Sequence, residues 1–292
     1  GRFELVECAG EGGMGTVFRG FDRQTKQQVA VKLVTRGGAC RFTREAELLR
    51  ALEHPAIVAH VAHGVDAGRP YLVMDWLPGR SLRARLDEGA LGIDEAVRLS
   101  RRLCSALAAA HEHGVVHRDV KPDNILLVDD DVDRAMLVDF GIARAFRGSW
   151  RQLTQTGAVI GTVGYMAPEQ ACGAAVVDAR TDLFALGCVL YECVAGRAPF
   201  EGDNVVAVLA KILIDEPAPL GALRSGVSSE LAHLAHELLA KDPDRRPPSA
   251  RAVMARLEGR DEHREQPACV PVGEDERRFV SVILALRPGV DI

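Results

Sequence analysis

The sequence contains no Cys-x-x-Cys pair, and its seven cysteines are an odd number scattered over Cys8, Cys40, Cys104, Cys172, Cys188, Cys193 and Cys269. No paired histidines accompany them. A zinc site is therefore not expected, and a reducing, cytoplasmic compartment fits best. Aromatic residues make up only 5% of the chain, and the net charge is −5. That lacks the basic balance of a nucleic-acid binder, so no nucleic-acid partner is expected. Long apolar runs are missing too. The most apolar stretch, LFALGCVLYECVAG, contains Glu192 and stops at Gly196, too short to span a bilayer. No signal peptide and no membrane segment are expected.

What is present suits a globular enzyme. The chain has 292 residues, of which 47% are hydrophobic and 26% charged, enough for a sizeable core. The first seventy-odd residues read as short strands, among them VAVKLV (Val29 to Val34) and YLVMDW (Tyr71 to Trp76). Between these two, RFTREAELLRAL (Arg41 to Leu52) has helical character, ended by His54-Pro55. After Leu77-Pro78-Gly79 the pattern turns helical. Asp94 is expected to cap a helix running to His113, with Gly114 just past its end. Thr181 to Ala195 is apolar nearly all round, which predicts a buried helix. Ser228 or Ser229 is expected to start another. A small β-rich lobe thus precedes a larger helical one. Residues 259–276 are polar, with two prolines, and read as a linker. The strand-like RRFVSVILAL from Arg277 is expected to begin a truncated second domain, and the missing initial Met fits a piece of a longer chain.

Gly10-x-Gly12-x-x-Gly15 allows three readings: a dinucleotide-binding turn, a flap over nucleotide phosphates, or an ordinary glycine-rich turn. A dinucleotide fold needs a helix directly after the glycines. Here Thr16, Val17 and Phe18 favour strand, and Gly20 interrupts any helix. A glycine-rich hairpin followed by a strand carrying Lys32 is expected instead.

HRDVKPDNILL (His117 to Leu127) places Asp119, Lys121 and Asn124 within six residues on a loop, because Pro122 lies among them. Asp139-Phe140-Gly141 stands fifteen residues beyond Asn124. An Asp and an Asn supply hard oxygen ligands suited to Mg2+. A separate Asp can accept a proton from an attacking hydroxyl, and a Lys can offset charge on a transferring phosphoryl group.

With these motifs at these spacings, the chain resembles the bacterial eukaryotic-like (Hanks-type) serine/threonine protein kinases over about residues 3–258. The resemblance implies an α+β, bilobal fold, with an N-lobe at about 1–76 bearing one helix and a C-lobe at about 77–258. It implies ATP and Mg2+ as cofactors, with Mn2+ as a substitute, and protein substrates bearing Ser or Thr. Gly10, Gly12 and Gly15 would cover the phosphates, and Val17, Ala30 and Leu126 would hold the adenine. Met74 would guard the pocket behind it, and backbone groups of Asp75 and Leu77 would bond its edge. Lys32, paired with Glu45, would hold the phosphates. Asp119 would be the base, Lys121 the phosphoryl stabiliser, and Asn124 and Asp139 the Mg2+ ligands. His117, Phe140 and Leu49 resemble the apolar column linking the lobes. Glu169, Arg246 and Asp182 resemble scaffold residues, with Glu169 paired to Arg246 and Asp182 under the catalytic loop. Thr154 and Thr156 resemble activating phosphorylation sites that would pair with Arg118, which implies autophosphorylation and a homodimer able to perform it in trans.

Two features depart from the family pattern. Lys32 and Glu45 stand only thirteen residues apart, with Glu47 as a second candidate partner. The acidic run Asp129 to Asp133 lengthens the connection to Asp139 and reads as a solvated turn between strands. A catalytically weak pseudokinase serving as a binding module is the competing reading. Lys32, Asp119 and Asp139, one of which such proteins usually lack, are all present.

Overall fold

Along Gln27–Val34, residues Val29, Val31, Lys32 and Val34 are buried, so both faces of this strand are covered. In the computed structural model this strand is the centre of a small lobe. The structure describes residues 1–12, 15–34, 39–140, 163–174 and 177–259. Strands β1 (Phe3–Gly12), β2 (Gly15–Asp22) and β3 (Gln27–Val34) form antiparallel hairpins. After helix α1 (Ala39–Arg50), β4 (His60–Asp66) and β5 (Arg69–Asp75) complete one sheet in the order β1-β2-β3-β5-β4. The β1–β2 register closes at Gly12 opposite Gly15. Gly15 has φ 146°, and a Cβ there would stand 2.0 Å from the Leu33 carbonyl oxygen, so only glycine fits. The glycine motif is thus a hairpin, with strand and not helix on its far side.

One face of the sheet packs Val29, Val31 and Val73 together. The other packs Val34, Leu72 and Met74 against Phe42 and Ala46, which lie four apart on α1. That helix runs Ala39–Arg50, two residues earlier than the sequence pattern suggests at each end. The connection after it is bound to the second lobe. Leu137 N–H donates to Ala56 O at 2.8 Å, and Arg102 donates to Pro55 O at 2.7 Å and Ala135 O at 2.6 Å.

The second lobe begins with β6 (Gly79–Ser81) and α2 (Leu82–Leu86), then α3 (Ile93–Glu112), β7 (Ile125–Val128) and β8 (Ala135–Leu137). Helices α4 (Pro168–Ala171), α5 (Arg180–Ala195), α6 (Val205–Ile214), α7 (Leu220–Leu223), α8 (Ser229–Leu238) and α9 (Ala250–Leu257) follow. The cap of α3 is Gly92 and not Asp94. The Glu95 carboxylate reaches back to accept from Gly92 N–H at 2.8 Å, leaving Asp94 inside the first turn, where a carboxylate also meets the positive helix end. Ser228 caps α8, its Oγ accepting from Leu231 N–H at 3.2 Å. Helix α5 is buried from Thr181 to Val194, as its apolar surface requires. A Cβ on Gly187 would lie 2.7 Å from the Leu238 Cβ, so that glycine sets how closely α5 and α8 approach. The Asp129–Asp133 run is a turn between β7 and β8, with Asp130 bound by Arg80 at 2.7 Å and Asp133 by Arg98 at 3.1 Å. Among the described residues no helix is long and apolar enough to cross a membrane.

Candidate active site

Directly opposed residues of an antiparallel ladder share a face. Val17 opposes Lys32, which opposes Leu72, and Ala30 opposes Met74. Ala30 and Lys32 are two apart on β3, so all five side chains occupy the face toward the second lobe. Ala30, Leu77 and Val138 pack against the cluster that holds Met74. Behind Met74 a cavity is lined by Leu49, Ile57, Val58, His60, Leu72 and Phe140. Leu126 is half-buried on β7, opposite Ser81 and Met136. Asp75 N–H is used within the fold, donating to Ala59 O at 3.1 Å. Gly10 is exposed on β1.

Lys32 Nζ lies 2.8 Å from Asp139 Oδ2, joining the small lobe to the segment after β8. The side chain of Glu45 lies outside the described residues, so its expected pairing with Lys32 does too; Glu47 is exposed. On the loop before β7, Asn124 Nδ2 donates to the Asp119 carbonyl at 2.8 Å and to its Oδ2 at 3.0 Å. Lys121 Nζ stands 3.4 Å from the same carboxylate. Asp119 and Asn124 are both buried. Pro122 begins a short 3-10 turn, Pro122–Asn124, which folds the Asn back over the Asp.

His117 is fully buried, and its two ring nitrogens have different tasks. Nε2 donates to the Val138 carbonyl at 3.1 Å, while Nδ1 accepts from Asp119 N–H at 3.3 Å. Only the neutral ring can do both, and burial pushes its pKa below the usual histidine value. Its ring lies 4.5 Å from that of Phe140, centroid to centroid. Phe140 and Leu49 line the same cavity, so of the expected column the His117–Phe140 step is in ring contact and Leu49 faces the cavity that Phe140 also lines.

Beneath the loop, Asp182 is fully buried at the start of α5. Its carboxylate accepts from His117 N–H at 2.8 Å, Arg118 N–H at 2.7 Å and His111 Nε2 at 2.8 Å. Arg118 and Asp139 both have left-handed φ values, 64° and 58°, which non-glycine residues keep only where surroundings impose them. Glu169 and Arg246 form a bidentate pair, both bonds 2.8 Å, and Thr181 Oγ1 adds a third bond at 2.7 Å. Burial pushes the Glu169 pKa up, but the bonds from Arg246 and Thr181 outweigh it and hold the carboxyl below its usual range.

Three contacts are not apparent from motifs. His111 joins the Asp182 hub, Gln170 reaches the catalytic loop, and Arg83 meets Glu192 at 2.8 Å while both bond the Tyr165 hydroxyl. The one signal for the last was a lone Glu inside an apolar helix, which demands a buried partner. Gly141, Thr154 and Thr156 fall outside the described residues, as do the two residues between Gly12 and Gly15. Among the described residues no group of His, Cys, Asp and Glu is arranged to hold a metal by itself.

The family profile described as "Protein kinase domain" matches residues 3–256. The chain is 41% identical over 267 residues to serine/threonine-protein kinase PknB of Mycobacterium tuberculosis, covering 88% of this chain and 42% of that protein. It is 39% identical over 269 residues to the probable serine/threonine-protein kinase SCO3848 of Streptomyces coelicolor, covering 88% and 40%. It therefore spans less than half the length of these relatives. Among solved structures it resembles the Mycobacterium tuberculosis PknI kinase domain, with TM-score 0.69, 26% identity and coverage of 89% and 96%. It also resembles Rad53 1-466 in complex with AMP-PNP, with TM-score 0.70, 28% identity and coverage of 87% and 64%.

Proposed function

This chain belongs to the protein kinase family, and we propose that it is an active serine/threonine protein kinase that moves the γ-phosphoryl group of ATP to protein hydroxyls. The observation that carries the reading is the proximity of two contact groups, Lys32 with Asp139 and Asp119 with Lys121 and Asn124, tied together where Val138 N–H, next to Asp139, donates to the Asn124 carbonyl at 3.0 Å. A pseudokinase is not favoured, because no member of this set is replaced.

The donor set suits a hard cation. Asn124 Nδ2 is engaged by Asp119, so its amide oxygen is the atom with which it would hold Mg2+, together with the Asp139 carboxylate. When bound, Mg2+ offsets negative charge on the phosphates; we assign Mg2+ ahead of Mn2+ on hardness alone. Lys32 and the backbone of Gly10, Gly12 and Gly15 hold the phosphates. Val17, Ala30 and Leu126 enclose the adenine beside Met74. The Asp75 N–H is already bonded, so the bond at its position falls to its carbonyl, with Leu77 supplying the other. Asp119 accepts the proton of the attacking hydroxyl as its oxygen bonds to Pγ and the bridging oxygen leaves with ADP. Lys121 is placed to offset the charge on the group in transit. The work is positioning and electrostatics, with no covalent intermediate.

Glu45 as partner of Lys32, and Thr154 and Thr156 as autophosphorylation sites served in trans by a second copy, complete the proposal. A kinase domain at 1–258, with a linker at 259–276 and a second domain beginning near 277, belongs to it as well. A cytoplasmic setting is supported by Cys8, Cys104, Cys172, Cys188 and Cys193, none of which is paired. Phosphoamino-acid analysis after incubation with Mg-ATP tests the acceptor class. Phosphoserine and phosphothreonine are expected, and predominant phosphotyrosine would overturn it.

A further inference from the structure

Gln170 follows the glutamate that Arg246 holds, yet its side chain turns to the catalytic loop. Its Oε1 accepts from Ala167 N–H at 3.0 Å, and its Nε2 donates to the Arg118 carbonyl at 3.1 Å. The two bonds fix the amide orientation, because an N–H must meet the oxygen and a carbonyl the NH2. Arg118 is the loop residue with φ 64°. Its N–H is held from below by Asp182 at 2.7 Å, and its carbonyl is held by Gln170. That carbonyl lies in the rigid peptide plane whose nitrogen belongs to Asp119. Rotating it would swing the Asp119 N–H away from His117 Nδ1, 3.3 Å distant, and move the carboxylate with it.

We propose that Gln170 is a positioning residue for Asp119: it couples the seating of the Val163–Ala171 segment to the peptide plane that aims the base. This rests on the phosphoryl-transfer reading above. A strained residue needs support on both of its flanking peptides, and here one support comes from α5 and the other from the Val163–Ala171 segment. Transfer is thereby tied to that segment being in place.

The two ends of the amide can be separated by substitution. Gln170→Glu keeps an oxygen for Ala167 N–H but sets a carboxylate oxygen against the Arg118 carbonyl. Gln170→Ala removes both bonds. The experiment measures single-turnover phosphate transfer to casein at saturating Mg-ATP, the KM for ATP and for casein, and thermal melting, with Asp119→Asn alongside. Both Gln170 variants are expected to slow transfer by about 10- to 100-fold, the loss typical of a slightly misplaced reacting group. Both KM values should stay near wild type. If Gln170→Ala melts early, Gln170→Glu decides, since it retains the cap. Transfer at the wild-type rate by Gln170→Glu would make the residue a helix cap only and overturn the proposal. So would a loss expressed only as a higher KM for casein. Equal transfer by wild type and Asp119→Asn would instead overturn the kinase reading itself, whatever the Gln170 variants do.

Discussion

Lys32 Nζ on β3 contacts Asp139 Oδ2 at 2.8 Å, across the boundary between the two lobes. Lys32 shares its sheet face with Val17, Ala30 and Met74. Replacing the cation without changing the shape of the stem removes a preorganised charge from the place where phosphates would lie. Lys32→Met is expected to lower phosphate transfer by about 100- to 1000-fold, the usual loss for a preorganised electrostatic group. Steady-state assays at saturating ATP would show it, and wild-type turnover by the variant would contradict the assignment.

Arg246 has no slack. Besides the two bonds to Glu169, it donates to Ala240 O, Arg180 O and Lys241 O, and its guanidinium lies 5.0 Å from the Phe184 ring centre. Arg246→Ala would leave the Glu169 carboxylate half-buried without its cation, and is expected to destabilise by about 3–5 kcal/mol. Urea denaturation of the variant against wild type measures this. A change below about 1 kcal/mol, the range of exposed ion pairs, would contradict the account.

Gly187 offers a test of packing alone. Because an added Cβ meets the Leu238 Cβ at 2.7 Å, Gly187→Ala must push α5 and α8 apart. The expected loss is about 1–3 kcal/mol, as for other overpacked cores, with transfer at low temperature unchanged. Calorimetry together with an activity assay on the same sample would check both halves.

Histidines set the response to mild acid. Burial lowers the pKa of His117, and of the part-buried His54 and His60, with the neighbouring His63 adding to the effect on His60. His54 also uses its Nδ1 as an acceptor, from Ala56 N–H at 3.1 Å. Each folded pKa lies below the unfolded value of about 6.5, so the unfolded chain takes up protons first. Their contribution is complete above about pH 6.5 and is lost as pH falls, because the unfolded chain then binds more protons. Glu169, with its lowered pKa, adds a further loss only in the carboxylate range. Urea midpoints between pH 8 and pH 5 should be flat at first and then decline. A rise toward pH 5 would contradict the neutral assignment.

The site was legible where chemistry is local in the chain. Asp119, Lys121 and Asn124 lie within six residues, and the proline among them already required a loop. The hairpin reading of the glycine motif held because Thr16 to Phe18 favour strand, and the buried helix because Thr181 to Val194 has no polar face. Contacts made through space were legible only through the family resemblance, as for Glu169 with Arg246, or not at all, as for Gln170 with Arg118 and His111 with Asp182. Their partners lie 52, 71 and 77 residues apart, and side chains able to bond many things do not name a partner by type. The cap of α3 was misplaced for a physical reason: Asp94 and Glu95 both suit a helix start, and the one that caps does so by reaching backward from inside the helix.

The central claim is that Asp119 accepts the proton in a phosphoryl transfer this chain performs itself. Purified wild-type protein and Asp119→Asn, matched for melting temperature, should be incubated with Mg-ATP labelled at the γ-phosphate, and incorporation into casein followed over time. The account predicts steady incorporation by wild type and a rate lower by about 100-fold or more in the variant, at least the share general-base catalysis supplies. Equal incorporation by both proteins would contradict it.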